Sequence, residues 1–376
     1  MKNRMLLIFI CLTVAGLILS CSRGSNAQNW DSEQQRKARA DIADRLAADD
    51  TFEPVDPFIG REFAPFKESN SFGRAVAYGC YRKGQAPGKS GPNQTEILQD
   101  LIIVSEYWDL IRVYNADNVT ELILAVIREH ELPLQVMLGI WLAQEEGDPA
   151  SKQSNIANTV RCLELTHKYP DLITAINVGN ETQVYWSGHK MKPENLIRYI
   201  RAIRNNLTVP VTTADDYNFW NKPESAEVAA EIDFIVTHIH PLWNGLQLDN
   251  AIEWLDLTYH EIQTVHPEKT VVLGEVGWAT RYNADKTGPD QQGTLIKGEV
   301  SVQAQGLFLI QLEEWINRSG VTTFLFEAFD EPWKGGGEAS GSSEVEQNWG
   351  VYYENRLPKE SMQDYLKHFQ MIDRPD

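Results

Sequence analysis

Two rhythms of apolar and polar positions alternate along most of this chain. From residue 74 onward short β-rich runs recur, each followed by a polar loop and then a stretch with apolar residues at helical spacing. The β-rich runs are RAVAYG (74–79), LIRVYN (110–115), LQVMLGIW (134–141), ITAINVG (173–179), PVTTAD (210–215), FIVTHIH (234–240), TVVLGEVGW (270–278) and VTTFLFEAF (321–329). Between them lie helical patterns such as NQTEILQDLIIVSEY, TELILAVIREHE, SNIANTVRCLELTHKY, PENLIRYIRAIRN, AIEWLDLTYHEIQTV and VQAQGLFLIQLEEWINR. Strands alternating with helices form parallel βαβ units, because parallel neighbours need a long crossover. Eight such strands, the last near the C-terminus, predict an α/β fold: a single (β/α)8 TIM barrel rather than an open doubly wound sheet.

The first 70 residues break the rhythm. Lys2 and Arg4 precede an apolar run from Met5 to Leu19, and Ser20 follows, so residues 1–20 read as a signal peptide. The run is too short, and too soon ended by polar residues, to span a bilayer. Cys21 directly after Ser20 resembles a bacterial lipobox, in which that cysteine is lipidated; ordinary secretion with a chance cysteine is the alternative. The expected location is therefore the bacterial cell envelope, at either face of the outer membrane, with membrane contact only through lipid on Cys21. Residues 21–70 read as a polar tether (SRGSNAQN), a charge-rich helix around Ile42 and Leu46, and a proline-bearing lead-in, either packed on the main domain or mobile. The barrel domain then takes 71–376.

Composition narrows the choice of partner. A chain of 376 residues can bury a large core, and a formal charge of −19 argues against nucleic acid, leaving a neutral ligand and a monomer as the expectation. Cys80 and Cys162 lack the close spacing of a metal knuckle or redox pair and read as core thiols.

In a barrel of this type the loops after the strands form the active face. Those positions hold Tyr81, Arg82 and Gln85 after the first strand, Arg112 and Tyr114 on the second, Trp141 on the third, and Asn180 and Glu181 on the fourth. Tyr217 and Trp220 follow the fifth, His238, His240 and Trp243 the sixth, Glu275 and Trp278 the seventh, and Glu327, Glu331, Trp333 and Lys334 the eighth. Two loops on this face are long, polar 279–297 and Gly/Ser-rich 334–348, and each reads as a flap or as a surface insertion.

Paired carboxylates flanking a bond support glycoside cleavage, one as acid and one as nucleophile or base. Glu181 and Glu275 are the candidates, and a separation of roughly 5–5.5 Å would imply retention through a covalent intermediate. Clustered Trp and Tyr suit sugar faces and hydroxyls. An H-x-H pair such as His238/His240 can bind metal, but no other strand end offers a histidine. No metal or cofactor is expected, and a hydrogen bond from His240 to substrate or a carboxylate is the better reading.

The segments YGCYRKGQAP, IRVYNAD, INVGNE, VVLGEVGW, FEAFDEPWK and EQNWGVYY, in that order, resemble glycoside hydrolase family 17, across roughly residues 70–358. The resemblance implies a retaining β-1,3-glucanase on a (β/α)8 fold, with Glu181 as acid/base and Glu275 as nucleophile. It implies that Asn180 bonds the sugar 2-hydroxyl, that Tyr114 supports the nucleophile, and that Trp278 bounds a subsite. Glu331, Lys334 and Glu346 match charged positions lining the family's cleft. Val276 and Ala279 stand where the family often has Thr and Pro, His240 where plant members commonly carry Tyr, and Cys80 where bacterial members often have Pro.

The reading is an endo-acting enzyme cutting laminarin-like β-1,3-glucan. A β-1,3-glucosyltransferase would use the same residues and pass the sugar to a hydroxyl instead of water. A glycan-binding lipoprotein without activity and a metal-dependent barrel hydrolase are the readings from other classes.

Overall fold

The eight predicted strands pair in chain order into a closed parallel barrel. The computed structural model describes residues 31–65, 74–286, 288–336 and 343–372. The strands are β1 (Arg74–Ala77), β2 (Leu110–Val113), β3 (Gln135–Ile140), β4 (Ile173–Asn180), β5 (Val211–Asp216), β6 (Ile235–His238), β7 (Val271–Val276) and β8 (Thr323–Leu325). β8 closes on β1 with Arg74 opposite Thr323. Several strands stop short of the apolar runs that predicted them. Their last residues leave the ladder to line the rim: Tyr78–Gly79 after β1, Ile239–His240 after β6 and Phe326–Phe329 after β8.

Helices α1 (Glu33–Ala47), α2 (Gln94–Ser105), α3 (Asn118–Glu129), α4 (Pro149–Lys168) and α5 (Pro193–Arg204) begin the series. After β5 come two short helices, α6 (Tyr217–Trp220) and α7 (Ala226–Ala229), then α8 (Leu248–Val265), α9 (Val302–Ser319) and α10 (Glu360–Ile372). Side-chain caps set the starts. Asn93 and Glu96 form a capping box on α2, while Asp117, Asp148 and Ser301 cap α3, α4 and α9. α6 and α7 were not predicted, because four residues show no 3.6-residue period. α10 was not predicted either; it packs along α9, where Gly306 allows the Ser361 backbone to approach.

The lead-in helix is packed on the barrel. α1 buries Arg39, Ile42 and Leu46 against α4 and α5, and Asp49 pairs with Lys152 and Arg198. The chain then runs under the barrel, where the Arg61 guanidinium donates to the carbonyls of Val209 and Arg204. Phe63 closes the floor, stacked at 4.4 Å on Phe234 below a narrow inner core that includes Met137, Val236 and Phe324. The larger core lies between strands and helices. Cys80 and Cys162 are buried free thiols, as expected. The signal segment and Cys21 lie outside the described residues. No helix among the described residues is long and apolar enough to cross a membrane.

The two long rim loops are tied to each other. Asn283 N–H donates to the Ser343 carbonyl, Thr280 N–H to that of Asn348, and Arg281 pairs with Glu344.

Candidate active site

Glu275 is a heavily supported carboxylate on the rim. Arg112, fully buried on β2, reaches through the barrel and donates to Glu275 Oε1 at 2.8 Å and to the Gly274 carbonyl at 3.0 Å. Its other nitrogen bonds Asn180 Oδ1 at 2.5 Å, so one guanidinium orients the ends of both β4 and β7. Gly274 makes the path: a Cβ there would meet the Val236 side chain at 2.3 Å and lie 3.5 Å from Arg112 Nη1. Tyr114 hydroxyl donates to the same Oε1 at 2.9 Å, and His240 Nε2 lies 3.3 Å from Oε2. Burial alone would push the Glu275 carboxyl up. His238, the bond from His240 and the charge of Arg112 more than offset it, holding the group well below the usual carboxylate range.

Glu181 is delivered by a sharp turn. Gly179 and Glu181 have positive φ, +81° and +51°, where a non-glycine residue is uncommon. The turn is held from β5: Asp215 accepts from the N–H groups of Gln183 (2.7 Å) and Val184 (3.1 Å), and Glu181 N–H donates to the Ala214 carbonyl. Burial, then the nearby charge of Glu181, push the Asp215 carboxyl well above its ordinary value. Between the two glutamates stands His238, fully buried on β6. Its Nδ1 is 2.9 Å from Glu181 Oε1 and its Nε2 is 3.4 Å from Glu275 Oε1, within ion-pair reach though without hydrogen-bond alignment. One imidazole thus touches both carboxylates. The H-x-H spacing singled out this residue, but metal binding was the role it suggested. Among the described residues no cluster of three or more His, Cys, Asp or Glu is arranged to hold a metal ion.

A cleft of about 690 Å³ opens beside Glu275, walled by Tyr81, Tyr114, Trp141, Asn180, Trp333 and Glu346 among others. Lys334 anchors its β8 side, bonded to Glu327 at 2.6 Å and Glu331 at 2.8 Å. Glu331 packs where a Cβ on Gly79 would stand, and it accepts from Trp333 Nε1 at 2.9 Å. Burial raises the Glu327 carboxyl strongly, Lys334 opposing and Glu331 adding to the effect. Burial also raises Glu346, with Lys334 opposing. Glu327 was visible on the predicted rim but not chosen as a site residue; its buried pairing with Lys334 depends on the fold.

Five expected binding residues do not face the cleft. Trp220 is fully buried and donates from Nε1 to the Val236 carbonyl; Trp278 is fully buried against Phe308 and donates to the Glu299 carbonyl. Both indoles turn away from the rim into the layer of helices, where each finds a carbonyl for its N–H. Arg82 turns outward to α2, pairing with Asp100, and Gln85 bonds Glu96 on the same helix. They fold the β1 loop down rather than reach into the cleft. Tyr217 stands outside this cleft, edge-on to Trp254 with its hydroxyl on Asn244. Tyr81, Arg112, Tyr114, Asn180, His240, Glu331, Lys334 and Glu346 line the cleft or bond to groups that do.

The chain is similar to several known proteins. The btgC protein of Aspergillus niger is 29% identical over 280 residues, covering 69% of this chain and 38% of its own length. The glucan endo-1,3-beta-glucosidase btgC of Emericella nidulans is 25% identical over 277 residues, covering 69% and 40%. The chain thus spans about two fifths of the length of these relatives. Its fold matches an endo-laminarinase from Formosa Hel1_33_131, with TM-score 0.69, 21% identity, and 80% and 88% of the two chains covered. It also matches a glycoside hydrolase family 17 β-1,3-glucanosyltransferase from Rhizomucor miehei, with TM-score 0.60, 22% identity, and 77% and 96% covered. At these identities the two structures speak for the barrel alone. The family model of the BtgE/BtgC glycoside hydrolase domain matches residues 75–350, the span from β1 to the segment after β8 that completes the rim, and the chain belongs to that family.

Proposed function

We propose that this protein is a retaining, endo-acting glycoside hydrolase of family 17 type that cleaves β-1,3-glucan at the cell envelope, held there by lipid on Cys21. The observation that carries the reading is the meeting of two unlike carboxyls on one imidazole beside a cleft. Glu275 is buried and held ionised by Arg112, Tyr114 and the histidines, as a nucleophile requires, whereas the Glu181 side chain keeps 28% exposure. Glu275 Oε1 already accepts from Arg112 and Tyr114, while Oε2 has only the long contact to His240, so Oε2 is the attacking atom.

In the first step Oε2 bonds the anomeric carbon as Glu181 gives its proton to the departing glycosidic oxygen. In the second, water attacks that carbon, Glu181 takes its proton, and the Glu275 carboxylate is released. Asn180, held by Arg112, would bond the 2-hydroxyl. A sugar hydroxyl in place of water would make the same protein a glucosyltransferase, the activity named for the Rhizomucor miehei neighbour.

The test is incubation of residues 22–376 with laminarin, following product sizes and the anomeric form of the first product, with Glu275→Gln alongside. Short β-configured oligosaccharides appearing only with the native sequence support the hydrolase. Products longer than the chains supplied would favour transfer, and α-configured first products would refute retention.

A further inference from the structure

The loop following Glu181 holds two large rings out in solvent. Tyr185 is 75% exposed and Trp186 47%, packed edge to face with centroids 4.8 Å apart. Scattered exposed apolar side chains are ordinary, but adjacent aromatic rings held outward mark a binding surface. They are not outside because the loop is loose. Thr182, Gln183 and Val184 are buried beneath them, two of their N–H groups bond Asp215, and Met191 N–H returns to the Thr182 carbonyl at 2.9 Å.

The position of the loop matters. On one flank the His189 ring lies 4.8 Å from Trp141, a wall of the cleft, and His189 Nε2 lies 2.8 Å from the Asn180 carbonyl oxygen. On the other flank the loop bonds Asp215 near the end of β5, two residues before Tyr217. The aromatic band therefore runs from the cleft wall, around the loop tip, to the end of β5. The cleft itself lies on the Glu275 side, with no lining residue from the loops after β5 or β6. A glucan chain continuing from the cleft past Glu181 would meet this band.

We infer that Tyr185 and Trp186, with Tyr217 behind them, form a platform for the sugar units on the leaving-group side of the scissile bond. This rests on the glucan-cleaving reading above. Aromatic faces accept the apolar face of a pyranose, while the Tyr hydroxyl and Trp N–H serve its hydroxyls. The same platform would seat an acceptor sugar, so it governs how often the glycosyl-enzyme passes to sugar rather than water.

The experiment compares two substrates on the full-length protein carrying Tyr185→Ala and Trp186→Ala. Laminarihexaose reaches across the loop; an aryl β-laminaribioside ends at its aglycone. The ratio of kcat/KM for the long substrate to that for the short one should fall about tenfold, in keeping with two stacking rings. Trp186→Phe should restore most of the ratio, and an unchanged Tm would show that the fold is intact. An unchanged ratio overturns the platform and leaves the rings as a surface for a protein partner. Native protein that cleaves neither substrate would instead sink the glucanase reading itself, an outcome distinct from an active enzyme with an unchanged ratio.

Discussion

Replacing Glu275 by Gln should weaken the fold as well as abolish turnover. Active-site carboxylates are often a burden on stability, because burial penalises their charge. Here Glu275 accepts from Arg112 at 2.8 Å and Tyr114 at 2.9 Å, with His240 at 3.3 Å. Gln keeps one acceptor oxygen for Arg112 and Tyr114 but removes the negative charge that strengthens both bonds, and it turns an NH2 toward His240, a loss of about 1 kcal/mol per contact or about 3 kcal/mol in all. Relief of the charge's own burial returns part of that, leaving a net loss of about 2 kcal/mol. For a chain of this size that lowers Tm by roughly 2–3 °C. The pH dependence has a definite sign. A carboxyl whose folded pKa is depressed contributes stability that is complete above its unfolded value, about 4.3, and is lost as pH falls through the folded pKa. The gap between native protein and Glu275→Gln should therefore be full at pH 7 and shrink below about pH 4. Scanning calorimetry of both proteins at pH 7, 5 and 3.5 measures it. A variant as stable as the native protein at pH 7, or more so, would refute the claim that Arg112 and its neighbours more than offset the cost of burying the charge.

Glu181→Ala should cost about 10²–10⁴-fold on glucan and far less on an activated aryl glycoside, which needs no acid; equal losses in the two rate assays would remove Glu181 as proton donor. Lys334→Met strands the buried carboxyls of Glu327 and Glu331 and should cost about 3–5 kcal/mol at pH 7. Because burial raises Glu327 and losing Lys334 raises it further, the deficit should shrink as pH falls; a denaturant midpoint lowered equally across a pH series would contradict this. Trp220→Phe removes an indole bond to the Val236 carbonyl and should lower stability by about 1 kcal/mol without changing KM; a raised KM would return Trp220 to the cleft. Cys21→Ala should move the protein from the detergent phase to the aqueous phase in a phase-partition assay, and continued partition into detergent would rule out the lipid anchor.

The alternating rhythm was enough to read the barrel and its strand order, because parallel strands buried on both faces leave continuous apolar runs and their crossovers leave a helical period. The same rhythm placed Glu181 and Glu275 on one rim, since strand ends share a face in this fold. What it did not reveal was direction. Trp220 and Trp278 follow strands as candidate sugar-binding residues would, yet both indoles pack away from the rim, because a nearby carbonyl and the helix layer offered them a dry, bonded place. Arg82 and Gln85 were likewise claimed by α2. In the other direction, His238 and Glu327 gain their surroundings from partners 57 and 7 residues away, and Tyr185 and Trp186 stand out only because the loop beneath them is bonded shut. Local sequence determines which residues reach the rim. Which of them turn into the cleft, which turn away, and which charges meet is decided by long-range packing, where each polar atom takes the nearest partner that burial leaves available.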